Sequence, residues 1–153
     1  MKIFKYFIVF LIFNFGALGI GVILMQNGPQ SDWYLQLNKA PWTPPGWVFG
    51  AAWSTIMFCY SIYMAYLYDA LPNTKVKILF TIQFILNVGW NFVFFNQHLV
   101  FIGLLFILAI TSIITIFLYD FRKILAYKSL FILPYFLWLC IACSLNLYIL
   151  IHN

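Results

Sequence analysis

A chain of 153 residues that is 65% hydrophobic, 22% aromatic and only 7% charged lacks the polar surface a soluble domain presents to water, so it reads as an integral membrane protein. Eight Lys and Arg against three acidic residues leave a net charge of +5. The basic residues are scattered over short loops, which excludes a contiguous nucleic-acid surface and makes lipid headgroups their expected partners.

Crossing a bilayer takes about 20 apolar residues per helix. Five uncharged runs of that order are visible, at approximately Phe7–Met25, Trp47–Tyr68, Ile78–Asn96, Leu99–Tyr119 and Ser129–Ile151. They are long and continuous, whereas barrel strands alternate over roughly ten residues between turns. The predicted fold is therefore all-α: a single transmembrane domain over residues 1–153, built as a bundle of five transmembrane helices.

The first run follows Lys2 and Lys5, as a signal-peptide core does, but it is longer than such a core and has no A-x-A-like site before Gln26 and Asn27. It is expected to stay as a helix, with Asn14, Ala17 and Gly21 on one face. Residues 26–46 then form the one long loop. Trp33, Tyr34, Trp42 and Trp47 are amphipathic rings suited to headgroup depth, and Pro41, Pro44 and Pro45 restrict the backbone. Two readings stay open for this loop: an aromatic belt with a proline turn, or a rigid lid over the mouth of the bundle. Gly46 and Gly50 are spaced as GxxxG at the start of the second span, which would allow close backbone approach, unless Gly46 simply completes the turn.

In the third span Gln83, Asn87 and Asn91 recur every four residues, with Trp90 and Phe94 beside them. The fourth span carries Thr111, Ser112 and Thr115. The fifth repeats the four-residue step with Pro134, Trp138, Ala142 and Asn146, and Pro134 is expected to free the Leu130 carbonyl and bend the helix, opening space near Trp138. Such polar groups could tie helices together at about 0.6 kcal/mol per interhelical hydrogen bond. The sharper reading is a cavity of aromatic faces and a few amides, suited to a flat apolar ligand with polar edges.

Charge predicts orientation. Lys2, Lys5, Lys75, Lys77, Arg122, Lys123 and Lys128 fall at the N-terminus and in the second and fourth loops, while the opposite side carries only Lys39; the N-terminus is expected in the cytoplasm and the C-terminus outside. Asp32, Asp69 and Asp120 all lie outside the spans or at their edges, so the mid-membrane ionisable group of a coupled transporter is missing. Cys140 and Cys143 form a C-x-x-C without a basic neighbour, which favours packing over redox chemistry; Cys59 stands alone. His98 and His152 are too few for a structural metal site; His98 could ligate haem iron, but its place in the short turn between the third and fourth spans favours a surface-turn histidine. No nucleophile and base pair and no paired carboxylates are visible.

Three stretches, WYLQLNKAPWTPPGWVFGAAW (33–53), QFILNVGWNFVFF (83–95) and LPYFLWLCIACSLN (133–146), together resemble the motifs of the TspO/MBR family, the tryptophan-rich sensory proteins related to the mitochondrial translocator protein. The resemblance covers nearly the whole chain. It implies a five-helix bundle, often a homodimer, with a pocket beneath the first loop that takes porphyrins, haem-pathway tetrapyrroles and drug-like ligands and needs no cofactor or metal. It also implies that Trp53 and Trp138 line that pocket and take part in light-dependent protoporphyrin breakdown. Asn87 and Asn146 match motif amides, Tyr34 and Pro44 fall in the lid, and Ala142 matches a small residue against which ligands pack. With Phe49, Trp90 and Phe94 these complete the expected binding set.

The expected role is a membrane receptor or regulator for porphyrins, with passive carriage of porphyrin or another small apolar molecule as the alternative. Met57 stands where the family usually has a tyrosine, KAPW stands where K-P-x-W is common, and Tyr148 is followed by ILIHN with no Lys or Arg. The last departure argues against cholesterol transport. A bare chain of this length with no targeting extension fits a bacterial inner membrane.

Overall fold

The computed structural model describes residues 2–153. Five helices in it are long and apolar enough to cross a membrane. They are α1 (Lys2–Leu24), α3 (Gly46–Ala70), α4 (Thr74–Asn91), α5 (Val100–Asp120) and α7 (Leu133–His152), with two short helices, α2 (Asp32–Gln36) and α6 (Arg122–Leu125), in the connections. Neighbour contacts run α3–α1–α4–α5–α7 and close from α7 back to α3, so the bundle is a ring.

Local chemistry sets the boundaries. Asn73 caps α4 by accepting a hydrogen bond from the Val76 amide at 2.9 Å. Ser31 does the same for α2, accepting from the Tyr34 amide at 3.3 Å and donating to the Gly28 carbonyl at 2.8 Å. Pro45 holds φ −57° and ψ 150°, an extended entry that delivers the chain into α3.

Three expectations are corrected. Pro134 does not bend a continuous helix: residues Ala126–Ile132 wind as a 3₁₀ helix, α7 starts at Leu133, and Pro134 sits in its first turn, where no amide is required. The Leu130 carbonyl is not left free, because the Leu133 amide takes it. Space does open beside Trp138, as a lipid-facing groove of about 350 Å³ between α3 and α7. Second, a Cβ added at Gly46 or Gly50 would meet nothing within 4 Å; the close approach is at Gly21, where it would lie 2.6 Å from Asn91 Nδ2 on α4. Third, the third span is not α-helical to its end: Phe92–Asn96 form a π-helical turn, with the Gln97 amide reaching the Phe92 carbonyl at 3.0 Å.

Packing density changes along the bundle axis. Every buried residue of α3 lies from Ile56 onward. There Tyr60, Tyr63, Met57, Met64 and Leu67 pack with Ile114, Phe117, Ile132 and Tyr135 into a core with no exposed surface. Interhelical hydrogen bonds are buried in and beside it: Asn14 Nδ2 donates to Ser61 Oγ at 2.9 Å, the Tyr63 hydroxyl donates to the Phe117 carbonyl at 2.7 Å, and Gln83 Nε2 donates to the Tyr135 hydroxyl at 2.7 Å. Gln83 therefore ties helices together. The hydroxyls of Thr111, Ser112 and Thr115 bond carbonyls of their own helix, one turn back, and that of Thr111 also meets Cys143 Sγ on α7 at 3.7 Å. At this tightly packed end lie all the lysines and arginines except Lys39, and the only ion pair among the described residues, Lys75 to Asp120 at 2.7 Å.

Candidate ligand cavity beneath the first loop

The opposite half is hollow. A cavity of about 610 Å³ is lined from all five spans and roofed by the 26–45 connection. Its floor is the dense core, and Met57 belongs to that floor, where it is fully buried, and not to the cavity wall.

All ten residues singled out from the sequence line this one cavity. Tyr34 and Pro44 come from the roof. Phe49 and Trp53 project from α3, Asn87 and Trp90 from α4, and Phe94 from the π turn. Trp138, Ala142 and Asn146 come from α7 at steps of four, which puts them on one helical face. Aromatic edges lock the walls: Phe49 meets Trp138 at 5.4 Å, Trp53 meets Tyr135 at 5.9 Å, and Trp90 stacks on Phe94 at 4.9 Å with 12° between the planes. The π turn aids that stack, since the widened turn lets Phe94 lie flat on Trp90 while Phe95 meets it edge-on at 5.6 Å.

Two wall residues hold polar atoms with no hydrogen-bond partner: Trp90 Nε1, and both Nδ2 and Oδ1 of Asn146, which is 2% exposed. A Cβ added at Gly103 on α5 would lie 3.3 Å from Asn146 Nδ2 and 3.4 Å from Trp90 Nε1, so the two unpaired donors converge against α5 beside the cavity, at a glycine that is not itself part of the lining. Leaving a buried polar group unpaired costs about 1–3 kcal/mol, which a polar partner at this corner would recover. Three further buried atoms are unpaired outside the cavity wall: the Tyr60 hydroxyl, Gln83 Oε1 and Ser129 Oγ.

The roof is fastened on two sides. Trp33 stacks on His98 at 4.0 Å and 13°, and meets Phe94 edge-on at 5.5 Å. His98 has φ 56°, is exposed and lies outside the cavity lining, so the sequence reading of a surface-turn histidine suits it better than a haem ligand. On the other side Asn153 Oδ1 accepts from the Asn38 amide at 2.8 Å while its Nδ2 donates to the Asn38 carbonyl at 3.2 Å, and Trp42 Nε1 donates to Ser144 Oγ at 3.2 Å. The loop tryptophans thus divide between the two sequence readings. Trp33 and Trp42 fasten a lid, and Trp47, 75% exposed, points outward as a belt residue would.

Burial pushes the Tyr34 hydroxyl above its ordinary pKa, so it stays a neutral donor at physiological pH. Sequence reasoning overlooked Lys39 as a cavity-lining residue. It had a signal, as the only lysine or arginine on its side of the membrane.

Five spanning helices, a structured first loop and an aromatic-lined cavity define a polytopic membrane protein with a chamber inside its bundle. The chain belongs to the TspO/MBR family, whose match spans residues 7–152. It is 36% identical to the tryptophan-rich protein TspO of Archaeoglobus fulgidus over 90% of each chain. It is 31% identical to the protein of the same name from Chlorobaculum tepidum, over 90% of this chain and 89% of that one. Human translocator protein is 29% identical over 78% of this chain and 74% of its own length.

Proposed function

We propose that this membrane protein is a receptor for porphyrins and related flat tetrapyrroles, held in the cavity beneath the first loop. The observation that carries the reading is the combination of stacked and edge-on aromatic walls with unpaired polar atoms on Trp90 and Asn146. Aromatic faces favour a flat ring system, and the unpaired amide and indole suit its polar edges. A volume of 610 Å³ lies within the roughly 300–1,000 Å³ of small-molecule sites. The basic end of the bundle faces the cytoplasm in this proposal, and the lid faces outward.

Receptor is favoured over passive carrier because Tyr60, Tyr63 and Tyr135 fill the bundle below the cavity with no exposed surface. Light-dependent breakdown of the bound pigment is a second reading, favoured by three indoles, Trp53, Trp90 and Trp138, on the wall of one cavity. An excited porphyrin there would lie against oxidisable rings, with dioxygen as the oxidant.

The test is a titration in the dark with protoporphyrin, following tryptophan fluorescence of purified protein. Saturable quenching, weakened about tenfold in Asn146→Leu because a hydrogen bond to the ligand is lost, supports the receptor reading; quenching that never saturates rejects it. Illuminating the loaded protein then tests the second reading. Pigment loss that persists unchanged when Trp53 and Trp138 are both Phe removes any role for those indoles.

A further inference from the structure

Lys39 is the one lysine or arginine at the lidded end, and its side chain lines the cavity. Its ammonium donates to the Tyr34 carbonyl at 2.8 Å and the Leu35 carbonyl at 3.3 Å, and it sits 4.8 Å from the centre of the Tyr34 ring. These contacts fix the ammonium at the C-terminal end of α2, where carbonyl dipoles favour a cation. They supply no formal negative charge. Among the described residues no carboxylate lies within 4 Å of it. Asp32, the acidic residue at this end, is exposed and does not line the cavity, and Asp69 and Asp120 are at the far end of the bundle. An ammonium has three N–H donors, so one remains after the two carbonyls are served.

The result is an apolar chamber whose lining carries one half-buried cation and no acidic side chain. We infer that Lys39 is a specificity-determining residue, and that the site selects ligands with an apolar body and a carboxylate at one edge, the carboxylate seated on the Lys39 ammonium beneath the lid. The inference rests on the receptor reading and goes beyond it. The indole and amide corner at Trp90 and Asn146 reads polarity, whereas Lys39 reads charge, admitting an anionic edge and rejecting a cationic one.

The plain alternative is that Lys39 only caps α2. Binding of protoporphyrin, with two propionates, is compared with binding of its dimethyl ester in wild type, Lys39→Met and Lys39→Arg. Taking the ratio of variant to wild-type affinity for each ligand cancels the different partitioning of acid and ester into detergent. The expected result is that Lys39→Met weakens the diacid about tenfold, as loss of a charge-assisted hydrogen bond does, and leaves the ester unchanged. Lys39→Arg should keep the preference, and salt should shrink it. Equal weakening of acid and ester in Lys39→Met would reduce Lys39 to a cap and overturn the inference. If wild type binds neither porphyrin, the tetrapyrrole reading fails on its own. Pyrenebutyric acid and its methyl ester then put the charge rule to the same test, and equal binding of that pair in wild type and Lys39→Met also overturns it.

Discussion

The two halves of the bundle are made of the same residue types and do opposite things with them. At the basic end, Tyr60, Tyr63 and Tyr135 are packed until nothing of them is exposed, and the hydroxyls of Tyr63 and Tyr135 have protein partners. At the lidded end, Trp53, Trp90 and Trp138 stand around open space, and the polar atoms of Trp90 and Asn146 have none. Aromatic content alone therefore does not mark a binding site. What separates the halves is open volume: the dense half also holds unpaired atoms, the Tyr60 hydroxyl and Gln83 Oε1, but no space beside them.

Substitutions can break or sharpen this contrast. The largest effect is expected from Tyr63→Ala, which leaves a void in the dense half and strands the Phe117 carbonyl; a loss of about 3–5 kcal/mol is anticipated in a denaturation series in detergent. A loss below 1 kcal/mol would mean the floor is not the stabilising half. Next, Gln83→Leu removes the partner of the buried Tyr135 hydroxyl and should cost about 1–3 kcal/mol, read from the same titration.

The same chemical change in the hollow half should behave differently. Asn146→Leu removes two unpaired polar atoms, so unliganded stability should hold or rise by up to about 1 kcal/mol while ligand affinity falls. Destabilisation equal to that of Gln83→Leu would show that Asn146 is a structural amide. His98→Ala undoes the stack on Trp33, expected at about 0.5–1.5 kcal/mol, and should speed ligand release more than it lowers stability, as stopped-flow dissociation would report. The smallest effect belongs to Trp47→Ala, which should stay within about 0.5 kcal/mol because the ring touches little of the bundle.

Much of this contrast was legible in the letters. Hydropathy located all five spans because a bilayer demands long apolar runs, and the four-residue steps on α4 and α7 exposed the wall because helical geometry turns sequence spacing into a face. At Gln83 the helix-tying reading is the one that holds. One turn from Asn87, this side chain points into the packed half, and only the position of Tyr135 on another helix decides its role. Pro134 misled because a proline kinks a helix only if the helix already runs through it, and the 3₁₀ segment before Leu133 was invisible to composition. The Gly46 and Gly50 spacing fitted a packing motif, yet both glycines line the cavity. Gly21 in the first span is the helical glycine with the tightest approach, to Asn91 on α4.

Trp138 borders the ligand cavity on one side and the lipid-facing groove between α3 and α7 on the other. A single indole thus separates the interior of the cavity from the groove on the outside of the bundle. Lateral pressure in the bilayer acts directly on that partition. Affinities measured in short-chain detergent and in membranes of differing chain order are then distinct physical quantities, and the lipid belongs in the description of the binding equilibrium as much as the ligand does.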